Sequence, residues 1–353
     1  SSIRLTGGSL DIQTFNETVA QVILAGGNVA GSSGVLTSSS VIDAWAGNAS
    51  AILAGTNGLT KTTTGTVTLS AVNTFTGPTS ISDGRLNVNG SITSEVTLSG
   101  TGILGGTGTV TGNVSSSVAT EGTVSPGNSL GILTVVGTFG PVGTLVMEID
   151  GTVPGAQHDQ VVVTGTVDLG GTTVLSTSGA IASSGGQEIV LIDNDGADAV
   201  VGTFAGLAEG AGVTVNSVNF FITYVGGDGN DVVLIQADTR VYVDISGNLV
   251  VEDFGTGSND DLTISYDAGT DTYTISDAAL TLYSTIVGAT GSGTNTLMVS
   301  GGLFTGMVRV LTGVGGDRLT VDFGDDDFVR QIEYDGGSGA GSDSLRLVGG
   351  ARS

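Results

Sequence analysis

Residues 58–90 read GLTKTTTGTVTLSAVNTFTGPTSISDGRLNVNG, and their pattern indicates the fold class. Val67 and Leu69 alternate with polar residues, and so do Leu86 and Val88, which is the period of two that indicates a β-strand. Each short run is closed by Gly, Asn-Gly or Asp-Gly, so the chain turns every few residues. No part of the stretch has room for a helix. We therefore predict short strands wound into coils that stack on one another.

The same stretch resembles the passenger-associated transport repeat, or autotransporter-associated β-strand repeat, of secreted bacterial surface proteins. The residues that carry the resemblance are GLTKT at 58–62, GTVTLS at 65–70, NTFTG at 73–77 and GRLNV at 84–88. The segment PGNSLGILTVVG at 126–137 is similar to the one that follows this repeat in many large secreted proteins. The resemblance extends over roughly residues 20–236. It implies a right-handed parallel β-solenoid displayed outside the cell, and it does not imply an enzyme.

The composition limits the classes of partner. The chain has 353 residues with 61 Gly, no Cys and a net charge of −25. Nine Lys and Arg residues are too few to replace the counterions of a nucleic acid or to hold an anionic membrane surface. No segment reaches the roughly 18–20 apolar residues of a membrane-spanning helix, and a chain without Cys has no disulfide framework. The negative charge either keeps a strand-rich protein soluble or binds hard cations through Asp-rich turns.

A shift in composition predicts two domains. Residues 1–236 hold 17 acidic and 3 basic residues, whereas residues 237–353 hold 17 acidic and 6 basic residues in half the length. We predict a β-solenoid with the transport-type repeat over 1–236, with coils of roughly 20 to 25 residues, and an acidic Gly/Asp-rich β domain, itself solenoid-like, over 237–353. Strand patterning begins at the first residues, so we expect the chain to be part of a longer protein or a processed one.

Gly-rich turns with Asp are candidate calcium sites. Residues 226–234, GGDGNDVVL, fit the nonapeptide G-G-x-G-x-D-x-U-x that binds calcium between stacked turns. The turns at 313–319 and 339–345 fit in part, and GTGSNDDLTI at 255–264 carries Asp at the same offset. Calcium is therefore the one cofactor that the sequence suggests, with carboxylate ligands from Asp228, Asp231, Asp317 and Asp343. The alternative is that each turn is only a tight turn in which Asp accepts a main-chain hydrogen bond. The run of acids at 325–327 is either a further cation site or a solvated loop.

Catalytic residue patterns are sparse. Two pairs of carboxylates occur, Asp193 with Asp195 and Asp260 with Asp261, but aromatic residues are only 5% of the chain and there is a single Trp. Glycoside hydrolysis needs two carboxyls in a groove that holds a sugar. His158, the single His, lies in a segment with strand pattern, so we expect it to be structural. No phosphate loop, zinc spacing or dinucleotide fingerprint occurs. The sequence therefore predicts a protein that is not an enzyme.

The function that fits these patterns is structural. We expect an extracellular protein of the bacterial cell surface, a β-solenoid rod that forms part of a fibre, filament or surface layer. Its expected partners are further copies of itself or neighbouring parts of a longer surface protein, without nucleic acid and without direct membrane insertion. Two alternatives stay open: an adhesin that binds glycans or host surfaces, and a polysaccharide-acting β-helix enzyme. An exposed aromatic or polar groove favours the first, and carboxylates clustered with basic residues favour the second.

Overall fold

The computed structural model describes residues 1–183, 187–254, 259–278, 280–324, 328–337 and 341–349. Within these ranges the chain forms 33 strands and one short 3-10 helix, Gly301–Leu303. None of the described residues belongs to a helix long and apolar enough to cross a membrane. The strands are β1 (Ile3–Leu5), β2 (Ser9–Asp11), β3 (Glu17–Val19), β4 (Val22–Ala30), β5 (Val35–Ser38), β6 (Ile42–Ala49), β7 (Ile52–Ala54), β8 (Leu59–Leu69), β9 (Thr79–Val88), β10 (Ser91–Ile92), β11 (Val96–Leu98), β12 (Ile103–Gly106), β13 (Thr109–Thr111), β14 (Val114–Ser116), β15 (Thr123–Pro126), β16 (Ile132–Val136), β17 (Thr144–Glu148), β18 (Gln160–Val163), β19 (Val174–Ser178), β20 (Glu188–Asn194), β21 (Gly212–Val215), β22 (Val218–Gly226), β23 (Asp231–Ile235), β24 (Thr239–Val243), β25 (Leu249–Asp253), β26 (Asp261–Asp267), β27 (Thr272–Asp277), β28 (Leu282–Ser284), β29 (Thr296–Ser300), β30 (Val308–Leu311), β31 (Arg318–Asp322), β32 (Ile332–Asp335) and β33 (Ser344–Val348).

The chain divides into two compact units. Unit 1 comprises Ser1–Ile181, Ile189–Ala208 and Thr223–Val233. Unit 2 comprises Ala182–Glu188, Glu209–Ile222 and Leu234–Ser353. Along the chain, the final passage from unit 1 to unit 2 lies between Val233 and Leu234.

Unit 1 is a stack of coils joined by parallel strands. Its largest sheet follows the order β1-β4-β6-β8-β9-β12-β15-β17-β19, and a second sheet follows β10-β13-β16-β18-β20. Leu59 pairs with Thr79, so one coil takes 20 residues here, whereas the pairing of Thr144 with Val174 makes a later coil 30 residues long. Each coil adds one strand spacing of about 4.8 Å. The prediction of a parallel β-solenoid is confirmed.

The interior of unit 1 is formed by the alternate residues that the sequence pattern selects. Val67, Leu69, Leu86 and Val88 are all fully buried. A coil cannot bury these side chains alone, so the core exists only through the stacking of neighbours. Gly58 shows how closely the coils approach, because its φ is +76° and a Cβ there would lie 1.9 Å from the carbonyl oxygen of Pro78. Only glycine fits this corner.

One charged side chain of the repeat lies inside unit 1. Lys61 is fully buried, and its Nζ donates to the main-chain carbonyls of Thr63 and, at 3.0 Å, of Asp83. Burial lowers the pKa of this ammonium group, while the carboxylate of Asp83 opposes that shift. The Lys of the GLTKT motif therefore joins carbonyls of two successive coils.

Unit 2 also has stacked parallel strands, with antiparallel additions. One sheet follows β28-β24-β25-β30-β32 and the other β29-β27-β26-β31-β33. The runs β25-β30-β32 and β26-β31-β33 are parallel, as a solenoid requires. Strands β26, β27 and β29, by contrast, pair antiparallel, as do β24 and β25. The two sheets enclose a core that includes Val251, Ile264, Tyr273, Phe304 and Val310.

The predicted positions of strands agree with the structure except in one stretch. Residues 15–25 and 38–54, whose composition could pass for helices, form strands and turns as expected. The β-branched residues at 167–174 predict one strand, but only isolated bridges occur at Val167 and Asp168 before a turn at 170–172. Gly170 and Gly171 both have positive φ there, so the strand starts only at Val174. The sequence pattern of β-branched residues did not reveal this turn.

Candidate functional site

The Gly-rich turns of unit 2 stack their Asp residues at one corner. Asp260, Asp317 and Asp343 each lie one residue before a strand, namely β26, β31 and β33. These strands are parallel neighbours, with Asp261 opposite Arg318 and Arg318 opposite Ser344. The three Asp residues occupy the same position in their turns, and the pairing of the strands places them one above another.

The stacked carboxylates bind the main chain of the neighbouring turn. Asp343 Oδ1 accepts the N–H of Asp317 at 3.1 Å, and Asp317 Oδ1 accepts the N–H of Asp260, also at 3.1 Å. Asp260 and Asp317 are each only 1% exposed. Both carboxylate oxygens of Asp260, and Oδ2 of Asp317, are buried and accept no hydrogen bond from any described residue. The corner therefore contains three acceptor oxygens that nothing in the described chain satisfies.

The electrostatic environment of this corner is negative. Burial raises the pKa of Asp260 to about 8. Four further carboxylates raise it in the same direction: Asp253, Asp317, Asp277 and Asp238. Arg318 is directed away from Asp260 and forms a bidentate pair with Asp261, with its Nε 2.7 Å from Oδ1. The pair Asp260–Asp261 thus separates into one buried acid and one half-exposed acid that is neutralised by Arg318.

The other wall of the corner supplies hydroxyls and a close glycine. Burial raises the pKa of Tyr334, whose hydroxyl lies beside that of Thr312 and near the carboxylates of Asp343, Asp317 and Asp260. Thr312 is fully buried. Gly313 has φ +71°, and a Cβ there would lie 2.8 Å from Asp253 Oδ2, so a side chain would displace that carboxylate. Oxygen atoms thus line the corner, which is the chemistry that hard cations prefer.

The sequence selected this site only in part. Asp317 and Asp343 are in the predicted calcium set, whereas Asp260 was considered only as half of a catalytic pair. The available signal was the turn GTGSNDDLTI, which carries Asp at the same offset. Among the residues that the structure describes, no group of three or more His, Cys, Asp or Glu side chains is placed to hold a metal ion. The acids at 325–327, and Gly339 and Ala340 of the third turn, lie outside the described residues.

The other two predicted calcium ligands belong to unit 1. Asp228 is exposed in the tight turn between β22 and β23, where Gly229 N–H donates to the carbonyl of Gly226 at 2.8 Å. Asp231 is buried, and its Oδ1 accepts the N–H of Asn194 at 2.9 Å. Burial raises the pKa of Asp231, and nearby Asp193 and Asp228 raise it too. This turn therefore uses its Asp to bind a neighbouring strand.

Apart from the pair Asp260–Asp261, the residues considered for catalysis belong to unit 1. Asp193 and Asp195 flank the buried Asn194. His158 is 1% exposed, and its Nδ1 lies 3.1 Å from the carbonyl oxygen of Gly151. Burial lowers the pKa of His158, so the ring is neutral at physiological pH. Trp45 is half-buried, with the Arg4 guanidinium 4.9 Å from its ring centroid.

Two of the motifs quoted from the sequence are joined by Arg85. Its Nη2 donates to the carbonyl of Gly127 at 2.7 Å and to that of Ser125 at 3.0 Å. Its Nε donates to Asn87 Oδ1 at 2.6 Å. Arg85 of the GRLNV motif is thus hydrogen-bonded to the start of the SPGNS segment, residues 125–129, which includes the first residues of the PGNSLGILTVVG motif. Ser125 is 40 residues from Arg85 in sequence and lies two coils further along the stack. Sequence reasoning did not assign a role to Arg85.

A polar groove lies beside this arginine. Arg85, Asn128, Ser129 and Glu148 line it together with Asp159. Asp159 is 2% exposed, and its two oxygens accept the N–H groups of Gly131 and Glu148 at 2.9 Å each. Burial raises the pKa of Asp159 to about 6, and the Glu148 carboxylate adds to the shift. Both Asp159 oxygens are thus engaged in main-chain bonds.

Two comparisons with known proteins agree with this description. The model of the passenger-associated-transport-repeat family matches residues 59–88. A part of the chain is 38% identical over 94 residues to an extracellular serine protease of Serratia marcescens. The aligned part makes up 27% of this chain and 8% of that protein. The chain thus spans less than a tenth of the length of this relative. Residues 59–88 are thus similar to the passenger-associated transport repeat, and the two matches indicate a secreted protein of the cell surface.

Proposed function

We propose that this chain is a structural part of a bacterial surface protein, in which stacked β-coils form a segment of a fibre, filament or surface layer, and that it is not an enzyme. The observation that carries the proposal is the parallel ladder of nine strands from β1 to β19. Every coil in such a ladder is hydrogen-bonded to the coil before and after it, so load passes along the stack. The side chains of the family-like motifs connect coils, as Lys61 and Arg85 do.

The strands at the end of unit 2 support the proposal of self-association. Strands β32 and β33 are the last of their sheets, and an edge strand presents unpaired N–H and C=O groups. Leu345 and Leu347 of β33 are 52% and 62% exposed. We propose that a neighbouring part of the same surface protein or a second copy of the chain covers this edge.

Electron microscopy of native cells tests the structural role. Gold-labelled antibodies against the chain should mark fibres or a continuous surface layer, and extracts of the native protein should contain filaments or sheets. A protein released entirely into the medium as single particles would contradict the proposal. Treatment with a chelator in parallel shows whether the assembly requires divalent cations.

A glycan-binding adhesin is the second candidate, because the groove beside Arg85 offers hydroxyl, amide and carboxylate groups to a sugar. A glycan array separates the two candidates. Saturable binding that is lost in Glu148→Gln, and kept in the exposed control Glu95→Gln, would favour the adhesin. The enzyme alternative is tested by turnover of acidic polysaccharides, and we expect no turnover, because both Asp159 oxygens are engaged by main-chain N–H groups.

A further inference from the structure

We infer that unit 2 binds a hard divalent cation, with Ca²⁺ as the ion that it fits, at the corner where Asp260 and Asp317 stack. This inference is independent of the proposed structural role. Its first support is geometric. Both residues are 1% exposed, their main chains are linked by the 3.1 Å bond from Asp260 N–H to Asp317 Oδ1, and three of their four carboxylate oxygens are buried without a hydrogen-bond donor.

The stacking explains why the unsatisfied oxygens occur at Asp260. Each stacked carboxylate accepts the N–H of the Asp in the preceding turn: Asp343 accepts that of Asp317, and Asp317 accepts that of Asp260. Asp260 lies at the end of this series and has no such N–H to accept. A turn that used Asp only for hydrogen bonding would not need an acid at this buried position. The acid at Asp260 therefore requires another ligand.

Charge balance points to a cation. A buried carboxylate without a partner costs several kcal/mol, so it is neutralised by a proton or by a positive charge. Four of the five arginines that the structure describes in unit 2 are held by other partners, and the fifth, Arg346, is exposed on β33. Arg318 pairs with Asp261, Arg240 with Glu252 at 2.8 Å and Arg309 with Glu333 at 3.0 Å. Arg330 donates to main-chain carbonyls, including that of Phe304 at 2.8 Å. No described arginine among these four serves Asp260.

The donor set selects the ion. The carboxylate oxygens of Asp260 and Asp317 and the buried hydroxyl of Thr312, together with water, are hard ligands of the type that Ca²⁺ accepts in irregular geometry. Mg²⁺ demands a near-ideal octahedron and keeps much of its water. Zn²⁺ prefers nitrogen and sulfur, but the chain has no Cys and its single His belongs to unit 1. Two buried carboxylates neutralise one divalent ion.

Calorimetry on the full chain tests the site. After chelation and dialysis, Ca²⁺ should bind the wild type saturably, and Mg²⁺ should bind at least about tenfold more weakly. The isosteric Asp260→Asn and Asp317→Asn should each weaken Ca²⁺ binding by about tenfold or more, because each removes one of two charges. Asp261→Asn is the matched control: it removes a charge one residue away that is paired with Arg318, and it should bind Ca²⁺ like the wild type.

A second measurement is made first on the wild type and so does not depend on the folding of the Asp variants. Tb³⁺ replaces Ca²⁺ and luminesces when a nearby tyrosine transfers energy to it, and Tyr334 lies near the two acids. Wild-type protein should therefore sensitise Tb³⁺, Ca²⁺ should displace it, and Tyr334→Phe should reduce the signal. The inference is overturned if the wild type shows neither saturable Ca²⁺ binding nor sensitised Tb³⁺, or if folded Asp260→Asn binds Ca²⁺ as tightly as the wild type. In that outcome a proton neutralises Asp260.

Discussion

Arg85 Nη2 donates a hydrogen bond to the main-chain carbonyl of Gly127 at 2.7 Å, although 42 residues separate the two in sequence. Strand β9 pairs with β12, and β12 pairs with β15, so this guanidinium spans two coils. It joins the GRLNV motif of the transport repeat to the SPGNS segment. The repeat therefore forms strands and also contributes a side chain that connects coils.

Arg85→Lys should destabilise unit 1 by about 2 kcal/mol, because an ammonium group cannot form the fork that bonds Asn87, Ser125 and Gly127 together. Urea unfolding followed by the fluorescence of Trp45, the single Trp, measures the free energy of unfolding of this unit. Thr66→Ala, an exposed position opposite Arg85 on β8, is the control and should cost a few tenths of a kcal/mol. Equal losses in the two variants would contradict the proposed role of Arg85.

Asn73→Ala should destabilise unit 1 by about 2–3 kcal/mol. Asn73 is 1% exposed, its Oδ1 accepts the N–H of Leu53 at 3.0 Å, and its Nδ2 donates to the carbonyl of Ser91 at 3.1 Å. The substitution leaves the buried N–H of Leu53 without a partner, and it removes one of the two donors to the Ser91 carbonyl, which keeps the main-chain N–H of Asn73 at 2.8 Å. The same urea experiment on Asn128→Ala, at an exposed Asn, should show a change below about 0.5 kcal/mol. A small effect at Asn73 would mean that water replaces its amide.

Asp159 should make stability fall as pH rises. Its pKa in the folded state is raised to about 6 from 3.8, so its contribution is fully present below pH 3.8 and is lost as pH rises through 6. The difference in unfolding free energy between wild type and Asp159→Asn should therefore change by at most about 3 kcal/mol between about pH 3.5 and 7. The constant cost of the Asn, which cannot accept both N–H groups, cancels in this comparison. A difference that is flat with pH would show that Asp159 ionises normally.

Leu347→Lys should weaken self-association, if the edge of β33 binds a second copy. Light scattering over a range of concentrations should give a higher mass for the wild type than for the variant, because the added charge opposes strand pairing at an edge. Thr64→Lys, at an exposed position of unit 1, adds the same charge outside β33 and is the control for net charge. A wild type that stays monomeric at high concentration, with and without Ca²⁺, would contradict self-association and leave a neighbouring part of the longer protein as the partner.

Apolar and polar residues alternate at 262–266 and 319–323, which predicts strands there, and the observed β26 and β31 match these bounds to within about one residue. The sequence also predicted the Asp offset of the three turns. It could not predict that β26 and β27 pair antiparallel, because alternation has the same period in both arrangements. The predicted strand at 167–174 also missed the turn after Asp168, although the consecutive glycines Gly170 and Gly171, both with positive φ, are a turn signal in the sequence.

The period of two and the glycines at the turns are visible in the sequence alone, and they require coils that stack to bury Val67, Leu86 and their equivalents. Which residues meet across coils depends on the tertiary structure. Asp260 and Asp317 are 57 residues apart whereas Asp317 and Asp343 are 26 apart, yet all three share one corner. Coil length varies because loops and hairpins are inserted between strands, and local sequence does not record how far the next coil lies. Whether an acid is exposed, like Asp261, or buried without a partner, like Asp260, depends on that stacking.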